Sequence, residues 1–377
     1  MFLRILRHVF VLSLCAFFSL SHAVTQPKLK ASAWVLMEAQ SGNIIAENNP
    51  HAKLPPASMT KLMTAYVVYD ALEDDIIALD DIVTVSETAH SMGGSKMFLR
   101  QGEKVTVQEL IKGLVIVSGN DASVALAEHV YADEAVFVEK MNEMAEKLGM
   151  ENTHFENATG WPVENHYSTP YDMAVLARAI IQEFPQYYAT YKEKEFTHDG
   201  VRQLNRNLLL WRDQSVDGLK TGHTDEAGYC LVASGKRNEQ RLISAVFNTD
   251  SKKARAEQSQ RLLNYGFRFF TTEKIYPKES AISQSTVEYG AKKTVNVGRF
   301  DDVYLTYPKE QVENIVATIE NIEPLQAPIQ RGQQVGTLTV TAEQGMVLLQ
   351  EPVFALEDVN EANFFLRIWQ WILSLFS

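Results

Sequence analysis

Cysteine is scarce in this chain: Cys15 and Cys230 are the two in 377 residues. Cys15 falls in an N-terminal stretch that reads as a leader. The mature chain would then keep Cys230 alone, and one thiol closes no intrachain disulfide. Stability must come from packing, even in an oxidising compartment. Cys230 sits in the apolar run Gly228-Tyr229-Cys230-Leu231-Val232-Ala233, which fits a buried, inert thiol better than a nucleophile. Positive charge is also short. Lys and Arg number 35 against 47 Asp and Glu, a net charge of -12. That disfavours nucleic acid as a partner, because phosphate binding rests on Lys and Arg. Any anion bound here must meet a local cluster of cations. No His-Glu-x-x-His occurs and the nine histidines are scattered, so no metal and no other cofactor is expected.

Long hydrophobic runs are missing too. Val9 to Leu20 is apolar but shorter than the ~20 residues that usually cross a bilayer. Arg4, Arg7 and His8 precede it, and Ser21-His22-Ala23 offers a small-x-small cleavage site. Residues 1–23 therefore read as a secretory signal peptide, with an uncleaved anchor as the other reading. Leu14 is too bulky for the position before a lipid-bearing Cys15.

At the far end, residues 359–377 read as an amphipathic membrane-surface helix. On a helical wheel Asn363, Arg367, Gln370, Ser374 and Ser377 share one narrow face, and large apolar residues from Phe364 to Phe376 cover the rest. The fifteen residues 363–377 reach ~22 Å at ~1.5 Å each, against ~30 Å of hydrocarbon. Such a helix lies in the membrane surface instead of crossing it. Docking on the rest of the chain or on a partner protein is the alternative.

What is present between these ends is an ordinary soluble composition, 46% hydrophobic and 22% charged. Residues 24–277 open with two strands, Ala31 to Glu38 and Asn43 to Glu47, around a Gly42 turn. Pro55-Pro56 then precedes a helix over Ser58 to Ala71, and further helices are expected at 107–117, 122–131, 133–148 and 169–183. Strands return at 216–221, 228–234 and 241–247, joined by short turns that imply antiparallel neighbours. The fold class is α/β in the α+β sense: an antiparallel sheet with strands from both ends of a domain and helices between. Residues 278–358 change texture. Their short β-branched stretches, separated by Gly or Pro, read as a separate small β domain without a titratable constellation.

Three short motifs carry the chemistry. Ser58-Met59-Thr60-Lys61 puts a hydroxyl and an amine three residues apart, on one helix face. A serine hydroxyl needs a base to become a nucleophile. Lys61 can be that base only when partly neutral, which burial or a second cation arranges. Lys220 is the candidate for that second cation. Ser118-Gly119-Asn120 lies in a helix-to-helix loop that can point a hydroxyl and an amide into a cleft. Ser41-Gly42-Asn43 has the same letters but reads as a hairpin turn. Lys220-Thr221-Gly222 ends a strand, with His223-Thr224 following. Such an edge can align a peptide by main-chain hydrogen bonds, and Gly222 would let it approach closely. Lys220 and the hydroxyls of Thr221 and Thr224 would receive a terminal carboxylate. His223 reads as a strand residue, with a base as the lesser reading.

These motifs, with Tyr191 to Thr197, Arg202 to Asn207, Val216 to Thr224 and Asn363-Phe364-Phe365, resemble the low-molecular-mass penicillin-binding proteins of the D-alanyl-D-alanine carboxypeptidase family. The resemblance implies a serine β-lactamase/transpeptidase-like domain, a small C-terminal β domain and an anchor helix. It implies removal of the terminal D-Ala from peptidoglycan stem peptides ending in D-Ala-D-Ala, inhibition by β-lactams, and attachment to the periplasmic face of the inner membrane. Ser58 would be the acyl-enzyme nucleophile, Lys61 the base, Ser118 and Asn120 the second motif, and Lys220 the carboxylate anchor. Arg206 and Arg255 would support the substrate end of the site. The oxyanion hole would come from the N–H of Ser58 and of a residue near His223. The segment His90 to Lys96 resembles the mobile loop bordering the site, while the bulky Trp161 departs from the smaller residue expected there.

Other readings compete. A serine β-lactamase would need a second base for deacylation, and no Glu-x-x-x-Asn segment is clearly placed for one. A DD-endopeptidase uses the same motifs. A wall-organising adaptor would use the β domain to recruit protein partners, with catalysis secondary.

Overall fold

The computed structural model describes residues 25–310, 315–322, 325–342 and 345–363. The leader read at 1–23 lies outside them, and of the tail read at 363–377 only Asn363 is described. Five strands build the sheet that organises the larger domain: β1 (Ala33–Glu38), β2 (Ile44–Asn48), β3 (Val216–Thr224), β4 (Gly228–Arg237) and β5 (Gln240–Thr249). Their order is β2-β1-β5-β4-β3, antiparallel throughout. The first two strands, which end at Asn48, thus join a sheet whose other members begin only at Val216, as expected from both ends carrying strands.

Alternation decides which face each residue serves. In β1, Val35 and Met37 enter the core shared with the helices, while Trp34 and Leu36 enter a second core on the opposite face. The helical side holds α1 (Lys61–Glu73), α2 (Val107–Val115), α3 (Asn120–Tyr131), α4 (Glu134–Lys147) and α5 (Pro170–Glu183). The other face is covered by α6 (Lys252–Phe269), through Leu262 and Leu263. Side chains set the helix starts: Thr106 and Glu109 form a capping box on α2, and Thr169 caps α5 ahead of Pro170. Cys230 lies in the core, its thiol pushed up to about 11 by burial.

One expected helix begins differently. Ala57–Thr60 is a single 3-10 turn, and the α-helix starts at Lys61. Pro55-Pro56 and a left-handed Ala57 (φ 48°) impose a tighter turn than an α-helix can open with.

The C-terminal part is all β. β6 (Phe270–Tyr276) pairs with β9 (Val303–Pro308), so it lies before the expected boundary at 277 and pairs beyond it. A six-stranded sheet runs β10 (Val316–Asn321), β11 (Gln334–Thr341), β12 (Val347–Ala355), β8 (Thr294–Gly298), β7 (Ala281–Glu288) and the short strand Leu325–Gln326. Its core is aliphatic, built on Val295, Val297, Leu305, Leu338 and Val353. The two parts meet at a polar seam: Ser41 Oγ lies 3.2 Å from Thr306 Oγ1, and Lys309 Nζ donates to Phe267 O at 2.8 Å. Ser41-Gly42-Asn43 is therefore a hairpin turn between β1 and β2 whose serine faces the β domain. No helix among the described residues is long and apolar enough to cross a membrane.

Candidate active site

Ser58 sits on the 3-10 turn, which is clamped from two sides. A Cβ on Gly160 (φ 79°) would lie 1.9 Å from Ala57 O, and one on Gly222 would lie 2.7 Å from Pro56 O. Both positions need glycine because backbone passes there with no room for a side chain. The close approach that Gly222 permits in this structure is thus between β3 and the turn carrying Ser58.

One turn on, Lys61 is buried, and its Nζ touches three oxygens: Thr159 O at 2.5 Å, Asn120 Oδ1 at 2.7 Å and Ser58 Oγ at 3.3 Å. Burial first, and the Arg206 charge second, pull this amine down to about 7, with Asp121 opposing them. Arg206 is thus a second cation acting on Lys61, and Lys220, the cation that the motifs suggest, is coupled to Lys61 by charge as well. A neutral amine keeps two N–H donors, which match the Thr159 and Asn120 oxygens. Its lone pair is then left for the Ser58 hydroxyl.

The loop between α2 and α3 supplies the second motif, as its position between two helices implies. Ser118 adopts a left-handed conformation (φ 64°), and its Oγ accepts from Lys220 Nζ at 2.8 Å. Asn120 opens α3, giving its amide oxygen to Lys61 and donating Nδ2 to Gly93 O at 2.8 Å. Lys220 is buried in β3, and its amine is lowered well below the usual lysine range by burial first, then by the charges of Lys61, Arg206 and Arg255. Arg255 reaches in from α6 to donate to Gly222 O at 2.9 Å, and burial brings it down to about 10. Arg206 donates to Ser95 Oγ at 2.6 Å.

Two hollows meet at Ser58. One, of about 590 Å³, is lined by Ser118, Arg206, Thr221, Lys252 and Arg255. The other, of about 500 Å³, is lined by Asn120, Thr159, Trp161, His223 and Glu226. The first is cationic and suits a carboxylate; the second carries Trp161 and the carboxylates of Asp225 and Glu226. Ser58, Lys61, Ser118, Asn120, Lys220, Thr221, Gly222 and Arg206 thus converge. His223 stays at the exposed rim, its ring stacked on Tyr229 at 3.9 Å with Nδ1 3.0 Å from Gly228 O. Trp161 is exposed and packs across the cleft against Gly93 and Gly94.

Several participants leave no mark in the motif spacing. The Thr159 carbonyl is held by Asn157 Oδ1, which accepts from the N–H groups of Thr159, Gly160 and Trp161. His166 bridges Glu156 N at 3.0 Å and Thr60 Oγ1 at 2.7 Å. Its Nδ1 accepts, so Nε2 carries the proton and donates to Thr60, in keeping with a ring lowered to about 4 by burial, then by His154 and Lys61. Asp121 follows Asn120 directly, but an acidic residue in a helix's first turn reads as a dipole partner and nothing more. Among the described residues no group of three or more His, Cys, Asp or Glu could hold a metal ion.

Comparison with known proteins agrees with this geometry. Residues 21–251 match the family model described as D-alanyl-D-alanine carboxypeptidase, and residues 270–361 match that of the penicillin-binding protein 5 C-terminal domain. D-alanyl-D-alanine carboxypeptidase DacC of Escherichia coli (strain K12) is 42% identical over 367 residues, covering 95% of this chain and 92% of that protein. The crystal structure of penicillin binding protein 5 from Haemophilus influenzae superposes with a TM-score of 0.86 at 40% identity, covering 90% of this chain and all (100%) of that one. Penicillin binding protein 6B from Escherichia coli gives a TM-score of 0.73 at 38% identity, with 87% and 96% covered. A serine beside a buried lysine at the start of a helix, facing an edge strand that carries Lys220, together with matches along nearly the whole length, places this chain in the D-alanyl-D-alanine carboxypeptidase family.

Proposed function

We propose that this chain is an exported serine DD-carboxypeptidase that removes the terminal D-Ala from peptidoglycan stem peptides. The observation that carries the reading is the environment of Lys61: two carbonyl oxygens at 2.5 and 2.7 Å take its N–H groups, and Ser58 Oγ stands at 3.3 Å. The substrate's terminal carboxylate enters the cationic hollow toward Lys220, Thr221 and Arg206, with Arg255 behind them. Neutral Lys61 takes the Ser58 proton as Oγ attacks the penultimate D-Ala carbonyl carbon. The resulting oxyanion is met by the Ser58 N–H and an N–H of β3 near His223. The C–N bond then breaks, and the leaving amine receives a proton from Lys61 through Ser118. Water then attacks the ester carbonyl, and its proton passes through Lys61 to Ser58 Oγ as the C–O bond breaks, which restores the serine hydroxyl and the neutral amine. β-Lactams acylate the same oxygen.

The tail 363–377 would hold the enzyme on the outer face of the inner membrane, as a surface helix. The β domain would set the distance of the site from that surface.

The test is release of free D-Ala from diacetyl-Lys-D-Ala-D-Ala, with mass spectrometry of the protein after penicillin. D-Ala release and a penicilloyl adduct on Ser58, both lost in Ser58→Ala, are expected. An adduct without D-Ala release would overturn the carboxypeptidase reading in favour of an endopeptidase or adaptor. Fast penicillin turnover without an adduct would point to a β-lactamase.

A further inference from the structure

The wall of the cleft from Gly93 to Leu99 contains no helix or strand, yet part of its backbone is firmly held. Three consecutive N–H groups converge on one buried carboxylate. Asp121 Oδ1 accepts from Met97 N at 3.0 Å, and Oδ2 accepts from Phe98 N at 2.9 Å and Leu99 N at 3.1 Å. A fourth bond joins Oδ1 to Ala122 N at 2.9 Å. Phe98 is exposed and left-handed (φ 72°). A bulky residue keeps that conformation only when its surroundings fix it. The convergent amides are the backbone form of an anion nest, with a side chain of the protein as the anion.

The neighbouring residue ties the same wall to the base. Asn120 N donates to Ser95 O at 2.7 Å and Asn120 Nδ2 to Gly93 O at 2.8 Å, while Oδ1 receives Lys61. Asn120 and Asp121 therefore hold the wall from one helical turn. Asp121 has all four bonds directed at backbone amides, and none joins it to Lys61, so its effect on that amine is exerted through space.

We propose that Asp121 is a positioning residue for this site: its carboxylate shapes the 93–99 wall so that Asn120 meets Lys61, and its negative charge offsets the cations crowded around the base. This rests on the carboxypeptidase reading for the role of Lys61. The charged and titratable groups facing Lys61 are Asp121 from α3, Arg206 from the segment after the 195–204 hairpin, Lys220 from β3 and His166 from the segment before α5. Asp121 is the one anion among them. It pulls Lys61 upward while burial and Arg206 pull it down. Removing the charge lowers the amine further, and the pH at which Lys61 becomes neutral falls.

Two variants separate the two effects. Asp121→Asn is nearly isosteric but neutral, and one side of its amide would point a donor at donors. Asp121→Glu keeps the charge and misfits the nest. Both are assayed for folding by circular dichroism, for kcat and KM of D-Ala release, and for the pH dependence of penicillin acylation. Asp121→Asn is expected to lose about tenfold or more in kcat and to move the acidic limb down by about half a pH unit. Asp121→Glu is expected to lose kcat with the limb unmoved. A limb that stays in place in Asp121→Asn, or moves equally in both, overturns the electrostatic half. A kcat within about twofold of wild type in Asp121→Asn overturns the positioning half. Hydrogen exchange on the wild-type protein decides independently of whether the variants fold. Slow exchange at Met97, Phe98 and Leu99 supports the nest, and exchange at the rate of an open loop overturns it. Absence of D-Ala release in the wild type would instead sink the carboxypeptidase reading and leave the exchange result standing.

Discussion

The two parts of this molecule treat polar groups in opposite ways. Around Ser58, charge and hydroxyls are taken out of water: Lys61, Ser118, Asn120, Asp121, Lys220 and Arg255 are all buried. Beyond Phe270, Ser285 is the one buried polar residue among those described, and the core is Val and Leu. The charges of that part sit outside, in pairs such as Arg331–Glu279 and Lys292–Glu357, which contribute little to stability. Burying an amine costs free energy unless hydrogen bonds and neighbouring charges compensate. The catalytic part bears that cost at Lys61 and Lys220, and the β domain bears none. Among the described residues, the buried charged groups are thus confined to one side of the seam.

The comparison is broken most sharply at Lys61. Lys61→Met should lower D-Ala release by about a thousandfold, in the range lost with a general base. Its unfolding midpoint should stay equal or rise, because a desolvated cation is replaced by a well-packed chain. A fall in stability as large as that of a core truncation would contradict the claim that the amine is held at a cost.

The converse experiment lies in the β domain. Leu338→Ala removes a fully buried side chain and should destabilise by about 2–5 kcal/mol. In denaturant melts its midpoint should fall while kcat for D-Ala release at 25 °C is unchanged. A matching loss of kcat would mean that the two parts are energetically one. The smallest effect on activity is expected from ending the chain at Asn363. That protein should release D-Ala at the full rate and cease to sediment with anionic vesicles, and continued sedimentation would argue against the surface helix.

Much of the fold and of the site is legible in the residues alone. Helices 107–117, 122–131, 133–148 and 169–183 and the late strands lie within a few residues of their expected positions, because period and capping residues are local signals. The three motifs meet as their order suggests, and the decoy Ser41-Gly42-Asn43 is a turn. What escapes depends on backbone atoms and distant contacts. The carbonyl of Thr159 has no letter of its own. The nest around Asp121 comes from N–H groups more than twenty residues earlier in the chain. Gly222 reads as room for a substrate, yet its missing Cβ makes room for Pro56 O. The 3-10 turn under Ser58 follows from Ala57 at φ 48°, a conformation that composition does not announce. Arg206, which belongs to none of the three motifs, also presses on Lys61 with its charge.

The most direct test of the central claim is the rate at which penicillin acylates Ser58 as a function of pH, followed by mass spectrometry. With Lys61 as a buried base brought down to about 7, protonated amine blocks acylation at low pH, and the rate should climb to a plateau with its midpoint near that value. A rate that keeps rising toward the ordinary lysine range, or one that is flat from acid to alkaline pH, would contradict the account.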